Sequence, residues 1–511
     1  MESDSKSGWL TLIIITLSVF TIVIDKTFMN VAIYTLIRDL NTNINTIQAI
    51  IAIYSLVMAS LMLLGGKLQN VLGRRKTFLT GASIYGIGTI IAALSINSTM
   101  LLLGWSILEG IGAALMMPAT TSIISGSYSG ERRAFALGII SSMASGAGTI
   151  GPIIGGFLTT YYTWRYAFGL ELVIIIVILL FSRTISVFPP TLKWKDIDIP
   201  GAILSSSGIF MLVVGILLLN NPQNWIIAFI SVIIGIILLI LFYWVQKYKM
   251  SKNKSPLLDI SLFKDHSFTL GNVTRLIMNF TIGGVIFVIP VYLQGVLGAN
   301  PLITGLALIP MSVGIFVMSF TAGKVSTRFQ ARYILATGFL AALAGSIYLS
   351  LIFGPQTTIL NILPGVLFLG IGMGIVFPHS ANVIFNVAKG EQQPDASGVL
   401  NTGVNLGSAL GTAVLGVILI LGSFGTLAAG TGYELPVKYS QSPTNSSEIG
   451  NYNSNLEITM PLAPNSTDKK SNAMKDAFNV VSLFLIIGLI CSLLMPKKIH
   501  KPCEHGVTTH I

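Results

Sequence analysis

Gly110-Ile111-Gly112-Ala113-Ala114-Leu115-Met116-Met117-Pro118 returns, 260 residues later, as Gly370-Ile371-Gly372-Met373-Gly374-Ile375-Val376-Phe377-Pro378. The flanking sequence repeats in nearly the same register. Gly130-Glu131 and Gly138 return as Gly390-Glu391 and Gly398, and Gly66-Lys67 returns as Gly323-Lys324 at an offset of 257. Self-similarity at a fixed offset marks a duplicated chain in which each copy is one structural unit. Both copies of the quoted stretch lie inside long apolar runs, and this decides what the unit is made of.

Of the 511 residues, 53% are hydrophobic and only 10% are charged, whereas a soluble globular chain carries about 25% charged residues. Mean hydropathy is +0.79. With so little charged surface and just two cysteines, a water-soluble enzyme, a disordered regulator and a disulfide-stapled secreted domain are all excluded. Crossing about 30 Å of hydrocarbon takes roughly 20 mostly apolar residues. Fourteen runs meet that need, starting near Trp9, Thr46, Thr77, Thr99, Ala134, Arg165, Ile199, Trp225, Phe268, Leu302, Tyr333, Asn361, Ala396 and Ala473. The first run shows no clear small-residue cleavage site and reads as a retained span. The repeat occupies runs one to six and nine to fourteen, with runs seven and eight inserted between the copies. The expectation is an all-α integral membrane protein with 14 transmembrane helices. Residues 1–198 form a six-helix bundle with its cytoplasmic loop, 199–245 two inserted helices, and 246–266 a cytoplasmic linker. A second six-helix bundle follows over 267–496, with an extracytoplasmic loop at 430–472, and 497–511 is a cytoplasmic tail.

The formal charge of +11 has two readings, nucleic-acid binding or cytoplasmic loops that hold a membrane protein in orientation. Placing the 30 basic residues on the fourteen runs puts 22 on the side shared by the termini and 6 opposite. Lys26 and Arg275 fall inside runs. Both termini are therefore expected on the cytoplasmic side of the cell membrane, with the lipid bilayer as a partner and no nucleic acid. The acceptor triplets near Asn445 and Asn465 carry no weight, because the same triplet occurs at Asn253, Asn272 and Asn279.

Parallel repeats of six spans around an axis along the membrane normal are a transporter architecture, with substrate held at the midplane between the halves. The motifs fit a known family. Ile24-Asp25-Lys26-Thr27 with Asn30-Val31-Ala32 resembles the first-span signature of the fourteen-span drug:proton antiporters of the major facilitator superfamily. Gly66-Lys67-Leu68-Gln69-Asn70-Val71-Leu72-Gly73-Arg74-Arg75-Lys76 resembles the loop motif after span two of the whole superfamily. Gly148-Thr149-Ile150-Gly151-Pro152-Ile153-Ile154-Gly155-Gly156 resembles the antiporter motif of span five, followed by Trp164-Arg165-Tyr166-Ala167-Phe168, and the likeness continues through Tyr292-Leu293-Gln294. The resemblance implies a major-facilitator-type fold that exports cationic or hydrophobic small molecules in exchange for protons, without a cofactor. It also implies roles in the conformational change for Gly66, Gly73, Arg74 and Arg75, and a hinge or seal at Gly151, Pro152, Gly155 and Gly156. The chain departs from the family pattern at Asn70-Val71, where an Asp-Arg pair is usual, and at Tyr34, where a proline is usual. Ser106 stands where the family has an arginine associated with proton coupling, with Glu109 close by. The alternative is therefore a facilitator or exporter of a metabolite with different or no proton coupling. A polytopic sensor or scaffold would need a sizeable signalling domain. An integral-membrane enzyme would need a metal or nucleophile constellation, and no ATP-binding loop is present.

Ionisable groups inside a span cost at least about 2.5–3.5 kcal/mol at mid-helix, so each is a functional candidate. Five stand out: Asp25, Lys26, Glu109, Glu171 and Arg275. Three acids against two bases give a net negative interior, which favours a cationic or neutral amphipathic substrate. A carboxyl group that binds a proton and gives it up to an arriving substrate is the minimal chemistry of antiport. Glu109 is the first candidate and Asp25 the second, with Glu171 and Arg275 after them. Asp25 and Lys26 are neighbours on a helix and point about 100° apart, so they pair poorly. His379 reads as a packing residue. Cys491 and Cys503 imply no disulfide, and the spacing of His500, Cys503, His505 and His510 implies no metal site.

Overall fold

The computed structural model describes residues 9–128, 130–190, 192–194, 197–252, 256–326, 329–354, 356–388, 392–424 and 464–496. The expected loop from 430 to 463, the tail 497–511, Gly390-Glu391 and Arg328 lie outside the described residues. The long helices in chain order are α1 (Trp9–Phe28), α2 (Ile44–Leu72), α3 (Arg74–Ala93), α4 (Ser98–Ser127), α5 (Gly130–Tyr161), α6 (Arg165–Leu180), α7 (Ile199–Leu218) and α8 (Trp225–Ser251). They continue as α9 (His266–Gly295), α10 in two pieces (Pro301–Ala307 and Ile309–Ser326), α11 (Ala331–Ile352), α12 (Ile359–Val387), α13 (Gln393–Phe424) and α14 (Pro464–Leu493). No strand occurs among the described residues.

Five of the fourteen helix starts carry an Asn or Asp cap. Asn43, Asn97, Asp198, Asp265 and Asn300 each accept a backbone N–H of the turn they open, which satisfies donors the helix itself leaves orphaned. Between α2 and α3 the chain turns at Gly73, with φ of 88°, a conformation that favours glycine. A Cβ there would also meet the Phe188 carbonyl at 2.8 Å.

Among the described residues, eleven helices are long and apolar enough to cross a membrane. The expected count of fourteen also includes α3, α5 and α6, which do not reach that standard. Helix α6 has 16 residues, α3 opens on Arg74-Arg75-Lys76, and α5 is rich in glycine, serine and threonine. All three are nonetheless packed among the spans. In α1–α6, α1 packs on α5, α2 on α4, and α3 on both α4 and α6. In α9–α14 the same pattern recurs: α9 on α13, α10 on α12, and α11 on both α12 and α14. The two groups meet through α2 against α13 and α5 against α10. Glycines set the closest crossings. A Cβ on Gly370 would strike the Met311 carbonyl and one on Gly411 the Phe280 carbonyl, as expected where helices associate through small residues in a lipid environment.

Helices α7 and α8 pair with each other through Gly208, Gly215 and Gly235, and α7 also touches α2 and α13. The outer face of α8 is a belt of exposed apolar side chains, including Ile226, Phe229, Ile233 and Ile237, as a lipid-facing helix would present. Two boundaries differ from the sequence expectation. Helix α8 runs to Ser251, past the expected end at 245, because Gln246 and Lys249 bind the Asp198 carboxylate at 2.7 and 2.6 Å while Gln246 accepts the Leu257 N–H. Helix α14 begins at Pro464, inside the stretch expected to be loop up to 472; proline is well suited to a first helical position.

Candidate functional site

Asp25 on α1, Glu109 on α4 and Glu171 on α6 converge. One oxygen from each lies within 4.8 Å of the others, and the residues are 0%, 0% and 1% exposed. Three helices far apart in sequence thus place three carboxylates in one buried cluster. The Trp105 indole N–H donates to Asp25 Oδ1 at 2.6 Å, and the Tyr85 hydroxyl stands 3.5 Å from Glu171 Oε2. Asp25 Oδ2, both Glu109 oxygens and Glu171 Oε1 are buried without a hydrogen-bond partner. No salt bridge reaches any of the three among the described residues.

The surroundings are aromatic and tightly fitted. The Tyr54 ring stacks on Trp105 at 4.9 Å and 7°, and Tyr54, Tyr85 and Trp105 are among the largest fully buried side chains. Residues Leu102–Glu109 of α4 widen into a π-helix, a distortion found frequently at functional sites. Gly88 of α3 makes room for the acid: a Cβ there would sit 2.8 Å from Glu109 Cγ. Ser106, at the position where an arginine is usual, donates to the Ile50 carbonyl at 2.7 Å and ties α4 to α2. No cation therefore enters the cluster from that position.

Such a cluster can do two things. Carboxylates this close and this buried repel when ionised, so protons relieve the repulsion. The same three oxygens are a hard-cation donor set, although a calcium site uses six to eight oxygens. It is the one place among the described residues where three metal-type ligands converge.

Other predicted residues lie elsewhere. Lys26 is turned away from Asp25 and donates to Asn405 Oδ1 of α13 at 3.2 Å, which links the two helix groups. Arg275 on α9 donates to the Phe377 carbonyl of α12 at 2.5 Å and lies over the Phe377 ring at 4.5 Å. His379 Nδ1 is 2.7 Å from the Ile375 carbonyl. Arg74 stays within its own group, bonding the Ser122 carbonyl at 2.6 Å and stacking on Phe188. At this basic end of the molecule the contact across the groups is Lys67 with Asp395, at 2.9 Å. Arg75 is half-buried, and a Cβ on Gly66 would meet nothing within 4 Å. In α5, Gly151 and Gly155 press on Thr27 and Phe28 of α1, while Gly156 meets the Pro301 carbonyl and Pro152 faces Gly305, both on α10. At the end opposite Lys67, Gln294 donates to the Val31 carbonyl at 2.9 Å and the Leu302 N–H donates to Thr160 Oγ1 at 3.0 Å, so the groups also touch there.

Sequence reasoning missed Trp105, Tyr54 and Tyr85. The available signal was polar aromatic residues in the middle of apolar spans, since buried Tyr and Trp bring a group that needs a partner.

A family model described as Major Facilitator Superfamily matches residues 15–262 and 199–412. A methylenomycin A resistance protein of Bacillus subtilis is 27% identical over 443 residues, covering 84% of this chain and 91% of its own. A puromycin resistance protein of Streptomyces alboniger is 26% identical over 423 residues, covering 82% and 83%. A riboflavin transporter of Clostridioides difficile is 28% identical over 412 residues, covering 80% and 87%. Among solved structures, a peptide transporter in complex with sulfate superposes with a TM-score of 0.65 at 16% identity, covering 97% of this chain and 98% of that one; at that identity the likeness concerns the fold.

Proposed function

The chain belongs to the Major Facilitator Superfamily, and on that premise we propose that it exports amphipathic small molecules in exchange for protons. Family and fold identify a multi-pass membrane transporter rather than an enzyme. The finer reading is a fourteen-span antiporter in the cell membrane with both termini cytoplasmic. Its bundles are residues 1–198 and 267–496, which rock about the α2–α13 and α5–α10 seams. Support for that division comes from the helix pairings that recur in the two groups.

The observation that carries proton coupling is the cluster of Asp25, Glu109 and Glu171. Three buried carboxylates with no paired cation among the described residues form a site that loads protons and returns them when the helices around it shift. Asp25 is the member that reports to substrate, because Lys26 beside it touches the second group. Arg275 holds α9 to α12 on the far side. Gly151, Pro152, Gly155 and Gly156 keep the α1–α5–α10 seam closely packed, and Gly73 and Arg74 hold the α2–α3 turn against α4 and Phe188. Relatives that resist puromycin or transport riboflavin support a small organic cargo.

The test uses the full chain in proteoliposomes with an acidic lumen. Adding puromycin or riboflavin outside should alkalinise the lumen for at least one of them, in step with uptake of that compound. Uptake that runs at the same rate with and without the proton gradient would leave a facilitator in place of an antiporter.

A further inference from the structure

The same site defines what kind of molecule passes. Asp25, Glu109 and Glu171 lie inside the α1–α6 group at 0–1% exposure, and Asp25 is held there by Trp105. They therefore do not line the seam between the groups, and the expected net negative interior does not describe it. Apart from the Lys67–Asp395 pair at the basic end, the charged group seen reaching across that seam is Lys26. Lys26 is half-buried, faces α13, and uses one of its three donors on the neutral carboxamide oxygen of Asn405. Among the described residues no carboxylate lies within 4 Å of Lys26 or Arg275, and Arg275 Nε is buried without a partner.

The amides around these cations are fixed as well. Asn30 donates to the Lys26 carbonyl at 2.9 Å, Asn279 to the Arg275 carbonyl at 2.8 Å, and Asn405 to the Asn401 carbonyl at 3.0 Å. A carbonyl accepts only from the NH2 end of a carboxamide, so these bonds set the orientation of each amide. Among the described residues the Lys26 ammonium thus has a neutral hydrogen-bond partner in Asn405 and no carboxylate within 4 Å. An enclosed ammonium without an anion is costly, and a ligand that brings an anion removes that cost.

We propose that Lys26 anchors the acidic group of the transported molecule, and that the cargo is an amphipathic carboxylate or phenolate rather than a lipophilic cation. The inference rests on the transporter reading, and it assigns Lys26 a specificity-determining role. The acid enters as its anion, forms a charge-assisted hydrogen bond with the Lys26 ammonium, and is oriented by Asn405.

Three probes that share one ring system separate charge from shape: pyrenebutyrate, its methyl ester, and the matching pyrenylbutyl-trimethylammonium. Each is titrated against the full chain in detergent at fixed pH, with no gradient, and binding is read by fluorescence anisotropy. Wild type should bind the carboxylate at least about tenfold more tightly than the ester or the ammonium probe, in line with one charge-assisted bond. Lys26→Gln should erase that preference and Lys26→Arg should keep it. Wild type binding the ammonium probe as tightly as the carboxylate overturns the proposal, as does a Lys26→Gln variant that keeps the tenfold preference. The wild-type ranking decides even if the Gln variant does not fold. Binding without a gradient is also independent of proton coupling. Carboxylate preference without proton exchange would sink coupling alone, and proton exchange with ammonium preference would sink this inference alone.

Discussion

Replacing Glu109 with Gln removes one of the three acids and keeps its shape against Gly88, where there is little spare room. The three oxygens lie within 4.8 Å of one another, so each ionised pair repels by at least about 3.5 kcal/mol at an effective permittivity of about 20. A fully ionised cluster would carry three such repulsions, roughly 10 kcal/mol, while one bound proton leaves a single pair of about 3.5 kcal/mol. The Gln variant has only the Asp25–Glu171 pair, so its proton capacity falls by one. A term of about 3.5 kcal/mol corresponds to more than two decades in an equilibrium constant, since each decade is about 1.4 kcal/mol. Even with substantial relaxation, exchange driven by an acidic lumen should fall by about tenfold or more. Equilibrium binding of the cargo at fixed pH should change much less, because the seam at Lys26 is intact. The assay pairs lumenal pH with cargo uptake in proteoliposomes, for the parent, Glu109→Gln and Asp25→Asn. Variants that exchange as fast as the parent, with the same pH dependence, would refute the assignment of this cluster.

Trp105→Phe removes the donor to Asp25 and leaves a buried carboxylate oxygen unbonded; it should lower thermal stability by about 1.5–3 kcal/mol equivalent and disturb coupling more than cargo binding. Lys67 and Asp395 form a pair that is 20% and 15% exposed at the side chain, so a double-mutant cycle on Tm should give a coupling of about 1 kcal/mol, with the charge-swapped pair restoring part of it. Gly155→Val would drive branched carbons into Phe28 on α1, and loss of folded protein by size-exclusion chromatography is expected, whereas Gly66→Ala should be silent. Burial alone would raise the Asp198 carboxyl, but hydrogen bonds from Lys249, Gln246 and the Gly201 N–H outweigh it and hold the group below the usual carboxylate range. The stability it contributes is therefore complete above about pH 3.9 and is lost as pH falls below that. A pH series of Tm should show acid destabilisation that is weaker in Asp198→Asn.

How much was legible in the sequence depended on whether the signal was local. The repeat of Gly110-Ile111-Gly112 at residue 370 and the apolar runs needed no tertiary information, and most helix starts follow from the runs to within a turn. The three acids were legible one at a time because charge in an apolar run is conspicuous. What each faces was not legible. Helix arithmetic separates Asp25 from Lys26 by about 100°, but it does not say which neighbour fills each direction.

By itself, then, the sequence determined a duplicated helical membrane chain of the transporter kind, since hydropathy and register are properties of the chain alone. Folding in three dimensions was needed to show that Asp25, Glu109 and Glu171 share one buried cluster inside the first helix group, that Lys26 reaches across to Asn405 of the second, and that Arg275 bonds within the second. The physical reason is packing. Glycine contacts such as Gly88 against Glu109 and Gly155 against Phe28 fix the rotation of each helix, and rotation decides whether a charge points into a bundle or into the passage beside it.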